Sequence, residues 1–399
     1  MPQNTLRLLY VSHSFPPAGR PLANLGGMQR VATELFEALR RRPDLKLSAH
    51  LLQSSWTMHW LRGPAYMIRG HRHIRRLIQQ RAIDAILFSS IVTPALMWLP
   101  KKLLRESGII TAAIVHGRDV TTPIAPYQHA VRRAFDVLDA VLPVSRASAG
   151  VCRERGVPDE KLHVIPNGIN LKRFRPLADR ETMRRELVRT FGPLHVPPDD
   201  GLLLCSVGRQ VPRKGFAWFV EHVMPLLPED VHYWLAGDGP EADNIRAAVA
   251  RRGLEHRVRL LGRVSEKELE TLYRGADLFI MPNVPMPNDL EGFGVVMLEA
   301  ALGGGLPTIA ARLEGIRDVI SEGVNGHLIE SGDAWGFSEA VMAYYHNRPA
   351  LEAASHRAAA FTAENFCWSA IAERHVTTLR TLVTGVPAPA PLEATAALL

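Results

Sequence analysis

Short apolar and β-branched runs alternate with stretches whose apolar positions repeat at helical spacing, and this alternation continues along nearly the whole chain. The first kind reads as strands buried on both faces and the second as helices covering them, so the pattern predicts parallel sheets in an α/β fold. Strands are expected at 8–12, 50–53, 85–88, 111–115, 140–144 and 163–165, then at 202–207, 232–236, 259–261, 278–281 and 308–310. Between the two sets lies Val196-Pro197-Pro198-Asp199-Asp200-Gly201, which marks the end of a connector. Two doubly wound domains follow, 1–175 and 201–366, with a linker at 176–200. Cys367-Trp368-Ser369-Ala370-Ile371 opens a last helix at about 367–385, and the Pro- and Ala-rich segment 386–399 reads as a flexible tail.

Length and composition agree with this division. A chain of 399 residues exceeds one ordinary core, and 47% hydrophobic with 22% charged residues is globular composition. No apolar run approaches the roughly 18–20 residues that cross a bilayer, because Asp84, Ser89 and Ser90 interrupt the best candidate. The N-terminal residues run directly into a strand without the basic, apolar and cleavage regions of a signal peptide, so a cytoplasmic location is expected. Cys152, Cys205 and Cys367 show neither paired nor metal-ligand spacing, which fits packing roles in a reducing compartment. The net charge of +7 favours an anionic partner: phosphates, nucleic acid or a lipid surface. No basic patch interleaved with aromatics of the kind single-strand binders use is present, so nucleic acid is not expected.

Glu291 and Glu299 bracket Glu-Gly-Phe-Gly-Val-Val-Met-Leu-Glu where a loop should turn into a helix. Helix geometry puts the second carboxylate on nearly the same face, about 12 Å further along. The pair reads either as a solvated surface helix or as a grip on hydroxyls at opposite ends of a long ligand, with helix-start amides facing charge between them. The run 202–207 ends in Gly208-Arg209-Gln210-Val211-Pro212-Arg213-Lys214-Gly215, beyond a strand's carboxyl end, where Arg209 and Lys214 are placed to meet a phosphate. Ala236-Gly237-Asp238-Gly239-Pro240-Glu241 reads first as a tight turn with a cap, and Ser265 with Glu268 as a capping box. No Asp-x-Asp run and no His or Cys cluster with metal spacing occurs, so no metal site is expected.

The Glu…Glu segment and the Gly-Arg…Lys-Gly loop together resemble the donor-binding signature of the retaining glycosyltransferases of family four, and the resemblance covers nearly the whole chain. It implies the GT-B fold, two Rossmann-like doubly wound domains facing a central cleft, with the last helix crossing back onto the first domain. It implies a metal-independent enzyme without cofactor that moves a sugar from a nucleoside diphosphate sugar to the hydroxyl of a glycan, lipid or small-molecule acceptor. By the same resemblance Glu291 contacts the transferred sugar, Glu299 the nucleotide ribose, and Arg209 with Lys214 the diphosphate. Phe293, Gly294 and Val295 line the donor, and Arg263 and Val264 the base pocket. Gly26 and Gly27 close over the donor, and His116 touches its sugar, with Asp119 either orienting His116 or capping the next helix. Asn167-Gly168 matches a recurring turn near the hinge. Leu313-Glu314-Gly315-Ile316 departs from the family pattern by a charged residue in place of a glycine, so no donor contact is assigned there.

Two rivals remain. A nucleotide-sugar epimerase of similar fold requires acid and base groups over C2, and no clear pair is present; a non-catalytic protein binding anionic surfaces would not depend on Glu299. The stretch 62–81 carries Arg69, Arg72, Arg75, Arg76 and Arg81 beside an Ile74, Leu77 and Ile78 stripe. It reads as a solvated face over a buried stripe or as a peripheral contact with anionic membrane.

Overall fold

In the computed structural model, which describes residues 5–17, 27–54, 56–97, 99–286 and 293–386 (backbone alone at 27, 56, 57, 59, 60, 118 and 314), the apolar runs form parallel strands in two compact units. Unit 1 holds the described residues up to Gly168 and again from Trp368; unit 2 is Ile169–Cys367.

Unit 1 has a five-stranded sheet of order β2-β1-β3-β4-β5, with β1 Leu6–Phe15, β2 Leu45–Gln53, β3 Ala85–Phe88, β4 Ile110–Val115 and β5 Ala140–Pro143. Side-chain alternation sends Leu9, Val11, Ile86 and Phe88 to one core and Leu8, Tyr10, Ala85 and Leu87 to the other. The first core is closed by Ile74 and Ile78 of the helix Trp56–Gln79. The second is closed by Leu35 and Leu39 of the helix Gly27–Arg40 and by Ile371, Val376 and Leu379 of the helix Trp368–Thr384. The stripe at Ile74 and Ile78 is thus spent on the core, while Met58, Leu61 and Ile68 of the same helix stay exposed.

The strand expected at 163–165 does not form. His163 N donates to Val141 O and Ile165 N to Pro143 O, both at 3.0 Å, but Pro143 has no N–H with which to continue the parallel ladder.

Unit 2 has a six-stranded sheet of order β11-β10-β9-β6-β7-β8: β6 Leu202–Val207, β7 Val231–Ala236, β8 Val258–Gly262, β9 Leu278–Met281, β10 Thr308–Ala311 and β11 Gly326–Ile329. The edge strand β11 was not expected, because only one of its faces is buried and its apolar run is short. Residues 176–200, expected as a linker, carry the helix Arg180–Phe191 and belong to unit 2. Leu187 is fully buried, and Arg180 and Arg184 both pair with the buried Asp277, which also accepts Leu203 N at 2.7 Å. Burial pushes the Asp277 carboxyl up, but Arg184 and Arg180 overcome that and hold it below the usual carboxylate range. Phe191, four residues on from Leu187, packs on the same core with its ring 5.5 Å from that of Trp234.

Candidate functional site

Each sheet reverses its winding once, between β1 and β3 in unit 1 and between β9 and β6 in unit 2. Loops that leave neighbouring parallel strands in opposite directions open a crevice at their carboxyl ends. In unit 2 the loop 208–215 after β6 and the segment after β9 flank that place, and Val284 N joins them by donating to Arg213 O at 2.9 Å. Arg209 is exposed on this loop, whereas Lys214 is only 5% exposed. A Cβ built on Gly208 would lie 3.4 Å from Lys214 Cε and 3.7 Å from its Nζ, so the lysine folds back over the strand end. The loop therefore offers one fixed cation and one that reaches outward.

Gln210 holds the loop in place. Its backbone N donates to Asp238 O at 2.8 Å, its side-chain Nε2 to Gly237 O at 2.9 Å, and its carbonyl accepts Glu241 N at 3.1 Å. Gly237, at φ 122°, lets the two loops meet, since a Cβ there would stand 2.0 Å from Gly208 O. The Gly-Asp-Gly-Pro segment is accordingly a brace for the cationic loop. Asp238 accepts Nε of Arg263, whose side chain is 84% exposed at the end of the edge strand β8, and Val264 packs on the core. Ser265 and Glu268 form the expected capping box. These residues follow β8, two strands away from β6, and Asp238, which holds Arg263, also supplies the carbonyl that accepts Gln210 N.

The helix Val295–Gly304 follows β9. Gly294 is its N-cap, at φ 67° with no side-chain cap among the described residues, and a Cβ there would stand 3.5 Å from Met281 Cε, so the first turn starts by the end of β9. Phe293 belongs to the core, with its ring 6.3 Å from that of Phe366, and Val295 packs on the same cluster. Glu299 is 9% exposed and receives Arg173 Nη1 at 3.4 Å, while Arg173 Nη2 also pairs with Glu266 at 2.9 Å. Beside it the Tyr273 hydroxyl is pushed well above its ordinary range, first by burial and then by the Glu299 charge. Glu299 is thus a buried carboxylate held by a cation, not a solvated surface group. Glu291 and Gly26 lie outside the described residues, and Gly27 opens the helix Gly27–Arg40.

In unit 1 His116 follows β4. Its Nε2 lies 2.9 Å from Ser89 O, a carbonyl that can only accept, so that nitrogen carries a proton and donates it. Asp119 accepts His116 N at 2.9 Å through Oδ1, and its Oδ2 finds no hydrogen-bond partner among the described residues. Burial pushes the Asp119 carboxyl up, with His116 offsetting part of the effect. Sequence reasoning missed the polar group around the switch between β1 and β3: His13 Nδ1 lies 3.0 Å from Thr93 Oγ1, and Ser89 Oγ donates to Ser12 Oγ at 2.7 Å. The signal was available in Ser12-His13-Ser14 and Ser89-Ser90, buried polar residues at the carboxyl ends of apolar strands. Arg173 and Gln210 were missed as well.

Two family descriptions match the chain in succession, Glycosyltransferase Family 4 over residues 25–173 and Glycosyl transferases group 1 over residues 201–347. The amylovoran biosynthesis glycosyltransferase AmsK of Erwinia amylovora is 27% identical over 60% of this chain and 56% of its own length. The GDP-mannose-dependent alpha-(1-6)-phosphatidylinositol monomannoside mannosyltransferase of Mycobacterium tuberculosis is 26% identical over 94% of this chain and 98% of its own. Among solved structures, Anabaena HepE in complex with UDP superposes with a TM-score of 0.65 at 18% identity, covering 94% of this chain and all of that one. That likeness is one of fold, and the fold is GT-B. With both of its parallel-sheet units matched in order by the two descriptions, the chain belongs to the GT-B glycosyltransferases of the family four type.

Proposed function

We propose that this protein is a retaining, metal-independent glycosyltransferase that moves a sugar from a nucleoside diphosphate sugar to an acceptor hydroxyl. One observation carries the reading: the cationic loop after β6, with Arg209 and the buried Lys214, stands at the switch point of unit 2 beside β9, whose chain continues into the helix Val295–Gly304, without a side-chain cap among the described residues. A diphosphate is the anion that such a combination of guanidinium, ammonium and helix-start amides suits.

In the reaction the bond between the anomeric carbon and the diphosphate oxygen breaks, with its electrons going to that oxygen. Arg209, Lys214 and the helix amides offset the charge that develops there. The acceptor oxygen bonds to the anomeric carbon on the same face, and its proton passes to the departing phosphate, so no protein base is needed. Glu299, oriented by Arg173, accepts the ribose hydroxyls; His116 and Glu291 are assigned to the transferred sugar. The relatives' names favour a glycan or lipid-borne acceptor. The reaction is assigned to the cytoplasm, peripheral to the membrane when the acceptor is lipid-borne.

Transfer assays with a panel of nucleotide sugars test the reading. Removal of one preorganised cation, in Arg209→Ala or Lys214→Met, is expected to lower kcat by about 10²–10³. Glu299→Gln should instead raise the donor Kd, by about tenfold for one charged hydrogen bond. NMR of the product should show the donor's anomeric configuration, and chelator should leave the rate unchanged. An inverted product, or full activity without Arg209 and Lys214, defeats the proposal.

A further inference from the structure

The helix Trp56–Gln79 contains Arg62, Arg69, Arg72, Arg75 and Arg76 and no acidic residue. Tyr66, Ile74 and Ile78 are buried in unit 1, while Arg69, Arg72, Arg75 and Arg76 are exposed. Among the described residues no carboxylate pairs with any of these four; Arg76 Nη2 instead lies 3.2 Å from His73 Nδ1. Like charges held at helical spacing repel one another, so the cluster is costly unless an anion fills it.

Three of the arginines do more than decorate a surface. Arg69, Arg72 and Arg76, with His73 and with His50 from β2, line a cavity of about 410 Å³. Its floor is fixed. The His50 ring stacks on Tyr66 at 4.4 Å and 13° and on His73 at 5.9 Å and 19°. His50 Nε2 lies 3.2 Å from Tyr66 O, and Tyr66 Oη donates to His50 O at 3.2 Å. The helix comes this close because residue 70 is glycine: a Cβ there would stand 2.8 Å from His50 Nε2 and 2.5 Å from Met97 Cε. Burial, together with the neighbouring His73 and Arg69 charges, holds the His50 imidazole below its ordinary range, so the cavity's positive charge comes from its arginines.

We propose that this cavity binds a phosphoryl group, a terminal phosphomonoester or a diphosphate, at a place distinct from the donor site. Guanidinium forks match the paired oxygens of such a group, two negative charges answer the uncompensated arginines, and the volume leaves room for the moiety that carries the phosphate. The phosphoryl group could belong to a membrane headgroup or to a soluble molecule, and the same chemistry serves both.

The test is titration of inorganic pyrophosphate at 0.15 M salt, followed by calorimetry, on the full chain and on the Arg209→Ala/Lys214→Met form. Binding should persist in that form and weaken about tenfold or more in Arg72→Ala/Arg76→Ala. Arg62→Ala/Arg75→Ala removes the same charge from the same helix outside the cavity and should change affinity less than threefold, as expected for screened surface charge at about this ionic strength. Co-sedimentation with phosphatidylcholine vesicles carrying either phosphatidic acid or phosphatidylglycerol separates the sources. Preference for phosphatidic acid, lost in Arg72→Ala/Arg76→Ala, assigns a headgroup, and pyrophosphate binding without that preference assigns a soluble ligand. Equal losses in the two arginine pairs overturn the proposal, as does disappearance of all pyrophosphate binding with Arg209 and Lys214, an outcome that would leave the donor-site reading standing. Unchanged thermal unfolding of each variant shows that the losses are local.

Discussion

His375 is 3% exposed within unit 1, and its Nδ1 finds no hydrogen-bond partner among the described residues. Burial, and then repulsion from His116, lowers its pKa to about 3. In the unfolded chain an imidazole titrates near 6.5. Between those values the unfolded state holds a proton that the native state refuses, so this contribution to stability is whole above about pH 6.5 and shrinks as pH falls toward 3, by up to about 1.4 kcal/mol per pH unit. Urea midpoints at pH 7.5 and pH 5 should therefore fall less in His375→Leu than in the natural chain; parallel losses would rule the histidine out as a source. The same scale shows what a sequence displays and what it hides. Arg209 and Lys214 are legible because one short loop after a strand contains both. Arg173 is not, because its partner Glu299 is 126 positions away and only the fold makes them neighbours.

The brace between two loops of unit 2 is decided at the level of elements. Gly237 adopts a φ that ordinary residues avoid, and its missing side chain admits the carbonyl of Gly208. In Gly237→Ala the backbone must move, at a cost above the roughly 1–2 kcal/mol of a left-handed residue alone. Calorimetry should show a Tm lower by about 4 °C or more. Because the shift would displace the loop that carries Arg209 and Lys214, kcat should fall with it, and an alanine variant with natural Tm and kcat would refute the brace. Strand positions were readable wherever a run was buried on both faces, as in β3 and β9. They were lost where one proline interrupted a ladder, at 163–165, or where one face met solvent, in β11. In the helix Arg180–Phe191, Leu187 and Phe191 reach the core at helical spacing, but the pairing of Arg180 and Arg184 with Asp277, a carboxylate of a distant strand-end, is visible only in the fold.

At the scale of the whole molecule, a ligand that binds only the folded chain raises its stability by RT ln(1 + [L]/Kd), about 2.7 kcal/mol at a hundredfold excess over Kd. Thermal shift with UDP, GDP and ADP should thus single out one base by a concentration-dependent rise in Tm, and the Arg209→Ala/Lys214→Met form should lose that rise. No shift with any nucleoside diphosphate would set the proposed donor aside. The division into two α/β units was legible from alternation alone, whereas the destination of the last helix came only from resemblance, because its apolar face does not say which sheet it will cover.

That destination has a consequence for how the polypeptide matures. Unit 2 is one uninterrupted stretch, but unit 1 needs Ile371, Val376 and Leu379 to cover Leu8, Tyr10 and Leu87. During synthesis, then, that core must wait half-covered, beneath the helix Gly27–Arg40 alone, until the segment that holds Ile371, Val376 and Leu379 has been made, while the intervening unit can fold ahead of it.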